Sequence, residues 1–378
     1  MEQIRFLLAI ALSFLVLLVW QNYFIEKPPK QPDELTENVA SETPHVPKDL
    51  DNQKNLLLSD SNQPQKKPEI QTPEISSEKP AKQIIVQTPL FEVKMSERGA
   101  AINSITLFEY KSTLAEDSTF MNVVNLETSG TALISFKNNI IPDLDKVVYD
   151  AQTSQNMIQV TTPKDLRFVY QLPQGIKIVK NYFFDPKSHM IGLTVVIENP
   201  TDFPIGDQLQ ISMRNQIPEN VGGYIFEGPA IHLNGKLEEI ALDDIEDSGN
   251  FSGKVEWAAI EDRYFASAVL PLDTHENIQT HMWLNNKVIQ MDMQMPHANI
   301  ASQKQHLYNF SLFFGPKSLE LLSGLENNFH EIINFGWFDI IARPCLYLMN
   351  LIYQFIPNYG IAIILLTILI KILFLAFG

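Results

Sequence analysis

Cysteine is nearly absent: Cys345 is the only one in 378 residues. An internal disulfide framework is therefore excluded, and stability has to come from packing. Positive charge is also in short supply, with 28 Lys and Arg against 44 Asp and Glu and a formal charge of −16. Such an acidic chain repels nucleic acid, and no basic, aromatic-studded stripe offsets this. Neither a G-x-G-x-x-G pattern nor a Walker loop occurs. The eight histidines form no H-x₃-H or H-E-x-x-H pair, and no serine sits in a nucleophile elbow. The expectation is a protein that is not an enzyme, with no cofactor and no metal. Nothing selects a carboxylate pair for glycoside chemistry. The acidic run Glu238, Glu239, Asp243, Asp244, Glu246, Asp247 lacks the EF-hand pattern and reads as a solvated loop.

What is present is long apolar runs at both ends. Residues 6–20 read FLLAIALSFLVLLVW, extended by Ile4 in front and by 21–25 behind. This reaches spanning length, and Trp20 and Tyr23 suit a membrane–water interface. A cleaved signal peptide would be followed by small residues, whereas WQNYFIEKPP is bulky. Residues 1–25 therefore read as an uncleaved anchor. Arg5 lies before the run and Lys27 and Lys30 after it, so the positive-inside rule does not choose its orientation. Residues 26–83 hold nine of the 23 prolines and no Phe, Trp or Tyr. Such a composition cannot bury enough apolar surface to offset chain entropy, so this is a tether.

Residues 84–314 read as all-β. Alternating runs recur at 90–95, 102–108, 132–136, 157–161, 167–172, 176–184, 191–198, 208–213, 266–270, 288–293 and 306–314. Ile191, Leu193, Val195 and Ile197 share one face of a strand. Gly and Asn turn signals separate the runs, and no helices interleave them. This predicts packed antiparallel sheets in a large sandwich. Residues 317–335 switch to helical period, with Leu319, Leu322, Leu325, Phe329, Ile332 and Ile333 on one face. One helix is expected there, closing a domain over 84–335.

Residues 336–357 read as a helix in the membrane interface. Asp339, Arg343, Asn350 and Gln354 lie within about 60° on a helical wheel. Asp339 and Arg343 are also an i, i+4 pair, and Trp337, Tyr347 and Tyr353 lie nearby. A buried core helix shares the pattern, and Pro344 marks a point where the helix is expected to break. Residues 358–378 are apolar from Gly360 onward except for Thr367 and Lys371. About 18 residues at 1.5 Å rise cover roughly 27 Å, close to the hydrocarbon thickness. An ammonium group there costs about 3–10 kcal/mol, so Lys371 and Thr367 should face protein or water. The alternative is a lysine that snorkels to the headgroups.

Together these pieces resemble the first half of the YidC family of Gram-negative membrane protein insertases. The resemblance rests on Arg98-Gly99-Ala100 with Ile102, Ser104 and Leu107. It rests also on Trp257 with Asp262-Arg263-Tyr264-Phe265, on Phe313-Phe314-Gly315-Pro316-Lys317 and on Phe335-Gly336-Trp337. Asn358-Tyr359-Gly360 with Ile363, Ile364, Thr367 and Lys371 completes it. It implies a galactose-mutarotase-like super-sandwich in the periplasm, flanked by transmembrane helices, with the N-terminus in the cytoplasm. The implied function is insertion and folding of inner-membrane proteins, alone or with the Sec translocon. The implied partners are nascent inner-membrane proteins, Sec components and the lipid bilayer. Lys371 falls where the family usually has a groove-lining arginine, so the charge is kept without the guanidinium fork. The family's chain continues through further helices, and a truncated form is expected here. The alternative is a membrane-anchored periplasmic binding or docking module without insertase activity.

Overall fold

A computed structural model describes residues 80–378, apart from 114, 116, 218–224, 274, 275, 326 and 378. The expected anchor, and the expected tether up to residue 79, lie outside the described residues. The described chain is mainly β, built of antiparallel sheets with helices at its C-terminal end.

The largest sheet has nine strands. In spatial order they are Lys236–Glu239, Gly228–Leu233, Val255–Glu261, Phe265–Pro271, Lys304–Pro316, Met190–Asn199, Lys177–Phe184, Lys164–Gln171 and Asp150–Ala151. Its centre is the pairing of Met190–Asn199 with Lys304–Pro316, in register from Met190 opposite Phe313 to Asn199 opposite Lys304. Strict alternation drives this strand: Ile191, Leu193, Val195 and Ile197 all point into the core, while most of their neighbours are half-exposed.

Two five-stranded sheets cover the inner face. One runs Phe120–Asn125, Ala101–Lys111, Phe91–Ser96, Gln83–Gln87, Met157–Gln159, and only its last pair is parallel. The other runs Asn250–Gly253, Ile278–Asn285, Val288–Gln294, Leu209–Gln216, Leu133–Phe136. Residues of all three sheets, such as Val86, Leu193, Val195, Ile211 and Met291, belong to one continuous apolar core.

The nine-stranded sheet is covered on its other face as well. Ala230, Trp257, Ala259, Ala266, Ala268, Leu270 and Phe313 form a second, smaller cluster with Leu322, Phe329 and Ile332 from the chain that follows the last strand. Strands Val255–Glu261 and Phe265–Pro271 are therefore buried on both faces. Double burial removes the period-two signal, which is why VEWAAIE does not read as a strand in the sequence.

The single helix expected over 317–335 is not formed. The segment folds as a short helix, α1 (Leu319–Ser323), and a 3-10 turn, Phe329–Ile332. Asn327 and Asn328 lie between them in the left-handed region, at φ 62° and 53°, and no α-helix runs through two such residues. The apolar spacing survives because Leu322, Phe329 and Ile332 still reach the same cluster. The acidic run is not one solvated loop either: Glu238 and Glu239 lie in the edge strand, and a 3-10 turn and one helical turn follow.

Two longer helices end the chain, α2 (Asp339–Phe355) and α3 (Tyr359–Phe377). Pro344 does not break α2, contrary to the expectation. It is the sixth residue of the helix, so only the Ile340 carbonyl loses its partner. Asn358 caps α3, its side-chain oxygen accepting from the Ile361 N–H at 3.2 Å. Tyr353 and Tyr359 stack across the turn at 4.0 Å, and Ala362 is fully buried. Among the described residues no helix is long and apolar enough to cross a membrane.

Candidate functional site

The motif segments meet at two places in the sandwich. The first is the turn at Arg98-Gly99-Ala100. Gly99 and Ala100 have φ of 64° and 45°, and a Cβ on Gly99 would lie 2.5 Å from the Asp145 carbonyl oxygen. Glycine is required there by both conformation and space. Lys180, fully buried, reaches under this turn and donates to the carbonyls of Gly99 (3.0 Å), Ala100 (2.9 Å) and Ala132 (2.7 Å). Tyr182 Oη adds a bond to the Ala100 carbonyl at 2.7 Å. Burial pushes the Lys180 ammonium down to about 7. Three acceptors use all three ammonium protons, so the geometry is that of the charged form.

The second is the joint between the sandwich and the C-terminal helices. Asp262 Oδ1 accepts from the N–H groups of Tyr264 (2.7 Å) and Phe265 (2.6 Å), closing the hairpin between two central strands. Phe265 pairs with Pro316, and the Lys317 N–H donates to the Tyr264 carbonyl at 2.7 Å. Lys317 Nζ then reaches the buried Glu261 at 2.8 Å. Desolvation raises the Glu261 carboxyl to about 7 against the pull of Lys317. Trp257 is fully buried, edge-on to Phe329 and stacked on His232. Arg263 lies 3.3 Å from the buried Glu227. An open cleft of about 580 Å³ runs beside this joint, lined among others by Asn215, Glu227, Glu261 and Tyr264.

From the joint the chain passes to α2. Asn334 donates to Glu239 at 3.1 Å and accepts from the Gly336 N–H at 2.8 Å. Gly336, at φ 57°, opens the turn Gly336–Phe338 that contains Trp337. Arg343 Nε bonds both oxygens of Asp339, at 2.8 and 2.6 Å, so the i, i+4 pair is formed. Arg343 also reaches back to the Ile333 carbonyl at 3.4 Å.

The expected groove residues sit one turn apart on α3, and the structure does not join them by a hydrogen bond. The Thr367 hydroxyl donates to the Ile363 carbonyl at 2.7 Å within its own helix. Lys371 is exposed and makes no hydrogen bond or ion pair among the described residues. Apolar side chains are exposed on both α2 and α3, including Ile340 (86%), Phe355 (79%) and Ile372 (63%). Among the described residues no group of three His, Cys, Asp or Glu is placed to hold a metal. Lys180, His232 and Glu261 were not legible as site residues, because their partners come from segments distant in sequence.

The chain matches the family described as YidC periplasmic domain over residues 83–348. It is 28% identical over 302 residues to the membrane protein insertase YidC of Citrifermentans bemidjiense, covering 78% of this chain and 55% of that protein. It is 27% identical over 386 residues to the membrane protein insertase YidC of Syntrophus aciditrophicus, covering 98% and 70%. The chain spans little more than half the length of the first of these relatives. Among solved structures it is similar to a galactose mutarotase related enzyme from Lactobacillus acidophilus, with a TM-score of 0.45 and 9% identity over 61% of this chain and 97% of that one. The family match runs from the first described strand through the Trp257 joint into α2, and the chain belongs to the YidC periplasmic domain family.

Proposed function

We propose that the chain serves a membrane protein insertase, which assists insertion and folding of inner-membrane proteins, alone or with the Sec translocon. The observation that carries this is the contrast between the two parts of the described chain. The sandwich buries most of its apolar side chains, whereas α2 and α3 expose Ile340, Ile341, Tyr347, Phe355, Ile364 and Ile372. An exposed apolar surface of this extent calls for lipid or protein cover. In this reading α2 lies in the interface with Asp339 and Arg343 toward the headgroups, α3 enters the hydrocarbon, and the sandwich stands in the periplasm.

Lys371 and Thr367 then form a polar stripe at membrane depth. With the further helices that the longer relatives have room for, this stripe would line a hydrated groove. A positive groove lowers the cost of desolvating the acidic or polar segments of a client, whose apolar helix then passes into lipid. No covalent step is involved.

The test is insertion into proteoliposomes by the insertase carrying this sequence in its full-length setting. Lys371→Arg should retain activity, because charge and reach survive. Lys371→Ala should reduce the protease-protected fragment of clients with acidic translocated segments more than that of neutral clients. Equal insertion of every client by a folded Lys371→Ala protein would refute the groove and leave Lys371 as a snorkelling flank.

A further inference from the structure

The turn at Arg98-Gly99-Ala100 takes its shape from Gly99, Ala100 and Lys180, which leaves the Arg98 guanidinium without a part in it. Arg98 lies half-buried on the wall of a cavity of about 350 Å³. Arg214, also half-buried, reaches the same cavity from strand Leu209–Gln216, and Lys146 reaches it from the loop that confines Gly99. Arg98 Nη1 donates to the Lys146 carbonyl at 2.9 Å. Arg214 Nη1 donates to the Ser129 carbonyl at 3.5 Å, the limit of hydrogen-bond distance, and its Nε is buried without a partner. Among the described residues neither guanidinium forms an ion pair. Lys146 is paired with Asp143 at 2.7 Å. Two carboxylates, Glu127 and Asp145, line the cavity against these three cations.

A guanidinium carries five N–H donors in a planar fork, so both arginines keep most of theirs unused. A half-buried cation without a counter-charge is unfavourable, and here two of like sign share one wall. Carboxylates are not scarce in a chain of formal charge −16, yet neither arginine is paired with one. The wall also carries hydroxyls. Those of Thr128 and Ser129 make no hydrogen bond among the described residues. The Ser96 hydroxyl accepts from the Arg98 N–H at 3.1 Å and keeps its own proton to donate. A carboxylate offers two oxygens to such a set of donors, whereas a phosphate group offers three. The cavity is at the lower end of the size range of small-molecule sites, with room for more than a bare phosphate. We propose that it binds the phosphate group of a small ester, with Arg98 and Arg214 as the guanidinium ligands and Lys146 adding charge. A soluble phosphate ester and a phospholipid headgroup present this same chemistry. The cavity belongs to the sandwich, so the proposal stands apart from the groove on α3.

The experiment is isothermal titration calorimetry of the whole chain in a non-ionic detergent, with glycerol phosphate as the probe. Saturable binding at one site is expected, weakening as salt is added. Arg98→Gln and Arg214→Gln should each raise the Kd by about 10–100-fold, the loss of a hydrogen bond between charged groups. Glu127→Gln, which removes an exposed carboxylate from the same wall, should tighten binding. Glycerate, a carboxylate of similar size, should bind more weakly than glycerol phosphate. Circular dichroism melts establish that each variant is folded. Arg98→Gln alters a side chain that the turn does not need, so it carries the test if Arg214→Gln fails to fold. Displacement of bound glycerol phosphate by phosphatidylglycerol doped into the micelles would assign the headgroup, and no displacement would assign the soluble ester. No saturable binding of glycerol phosphate, equal affinity in folded Arg98→Gln, or glycerate binding as tightly would overturn the phosphate site.

Discussion

Replacing Lys180 by Met tests whether the left-handed turn depends on the buried ammonium. Methionine keeps most of the volume but donates nothing. The carbonyls of Gly99 and Ala132 lose their donor, while that of Ala100 keeps Tyr182. Neither lost partner is easily replaced, because the turn is confined against Asp145 and Leu133. Two orphaned carbonyls cost about 1–3 kcal/mol each. Removing a buried cation returns part of this, and we expect a net loss of about 2 kcal/mol near pH 6. Lys180 is held at about 7 in the fold, below its ordinary 10.5. The unfolded chain therefore binds the extra proton between those values, and wild-type stability rises with pH across that window. This gain reaches about 1.4 kcal/mol per pH unit, and the Met variant lacks it. The gap between the two proteins should widen above about pH 7. Melting followed by circular dichroism in detergent at about pH 6 and pH 9 measures both effects, at roughly 2–4 °C per kcal/mol. A variant that melts with wild type at both values would show that the carbonyls find other partners.

Lys317→Met should cost about 3–5 kcal/mol at high pH, where Glu261 must be buried as an unpaired carboxylate. Glu261 sits at about 7 in the fold with Lys317 holding it down, so in the variant the carboxyl rises further above its ordinary 4.5. The penalty should shrink as the pH falls towards about 7 and the carboxyl takes up its proton, and denaturant melts at about pH 6 and about pH 9 check this. Gly99→Ala places a Cβ at 2.5 Å from a backbone oxygen and in a left-handed turn, and should lower stability by about 1–3 kcal/mol or more, read from the same melts. If the sandwich is periplasmic, protease added to spheroplasts should digest 84–335 and spare a C-terminal tag; digestion of the tag with protection of the domain would reverse the topology.

The sequence alone determined where alternation is the physical rule. Strands with one buried face, such as Met190–Asn199 and Val288–Gln294, are legible because burial on one side imposes a period of two. So is the Asp339–Arg343 pair of α2, which joins residues one helical turn apart. The tertiary structure decided the rest. Val255–Glu261 is hidden in sequence because the segment 319–333 covers its second face, and nothing local announces that cover. The expected helix over 317–335 fails for the opposite reason: its apolar spacing is real, but left-handed Asn327 and Asn328 satisfy it without continuous helix. Lys180 and Lys317 look like ordinary surface lysines in one dimension. Only the packing of distant strands puts three carbonyls around one and a buried carboxylate against the other. Burial and long-range pairing set their chemistry, and those are properties of the folded chain.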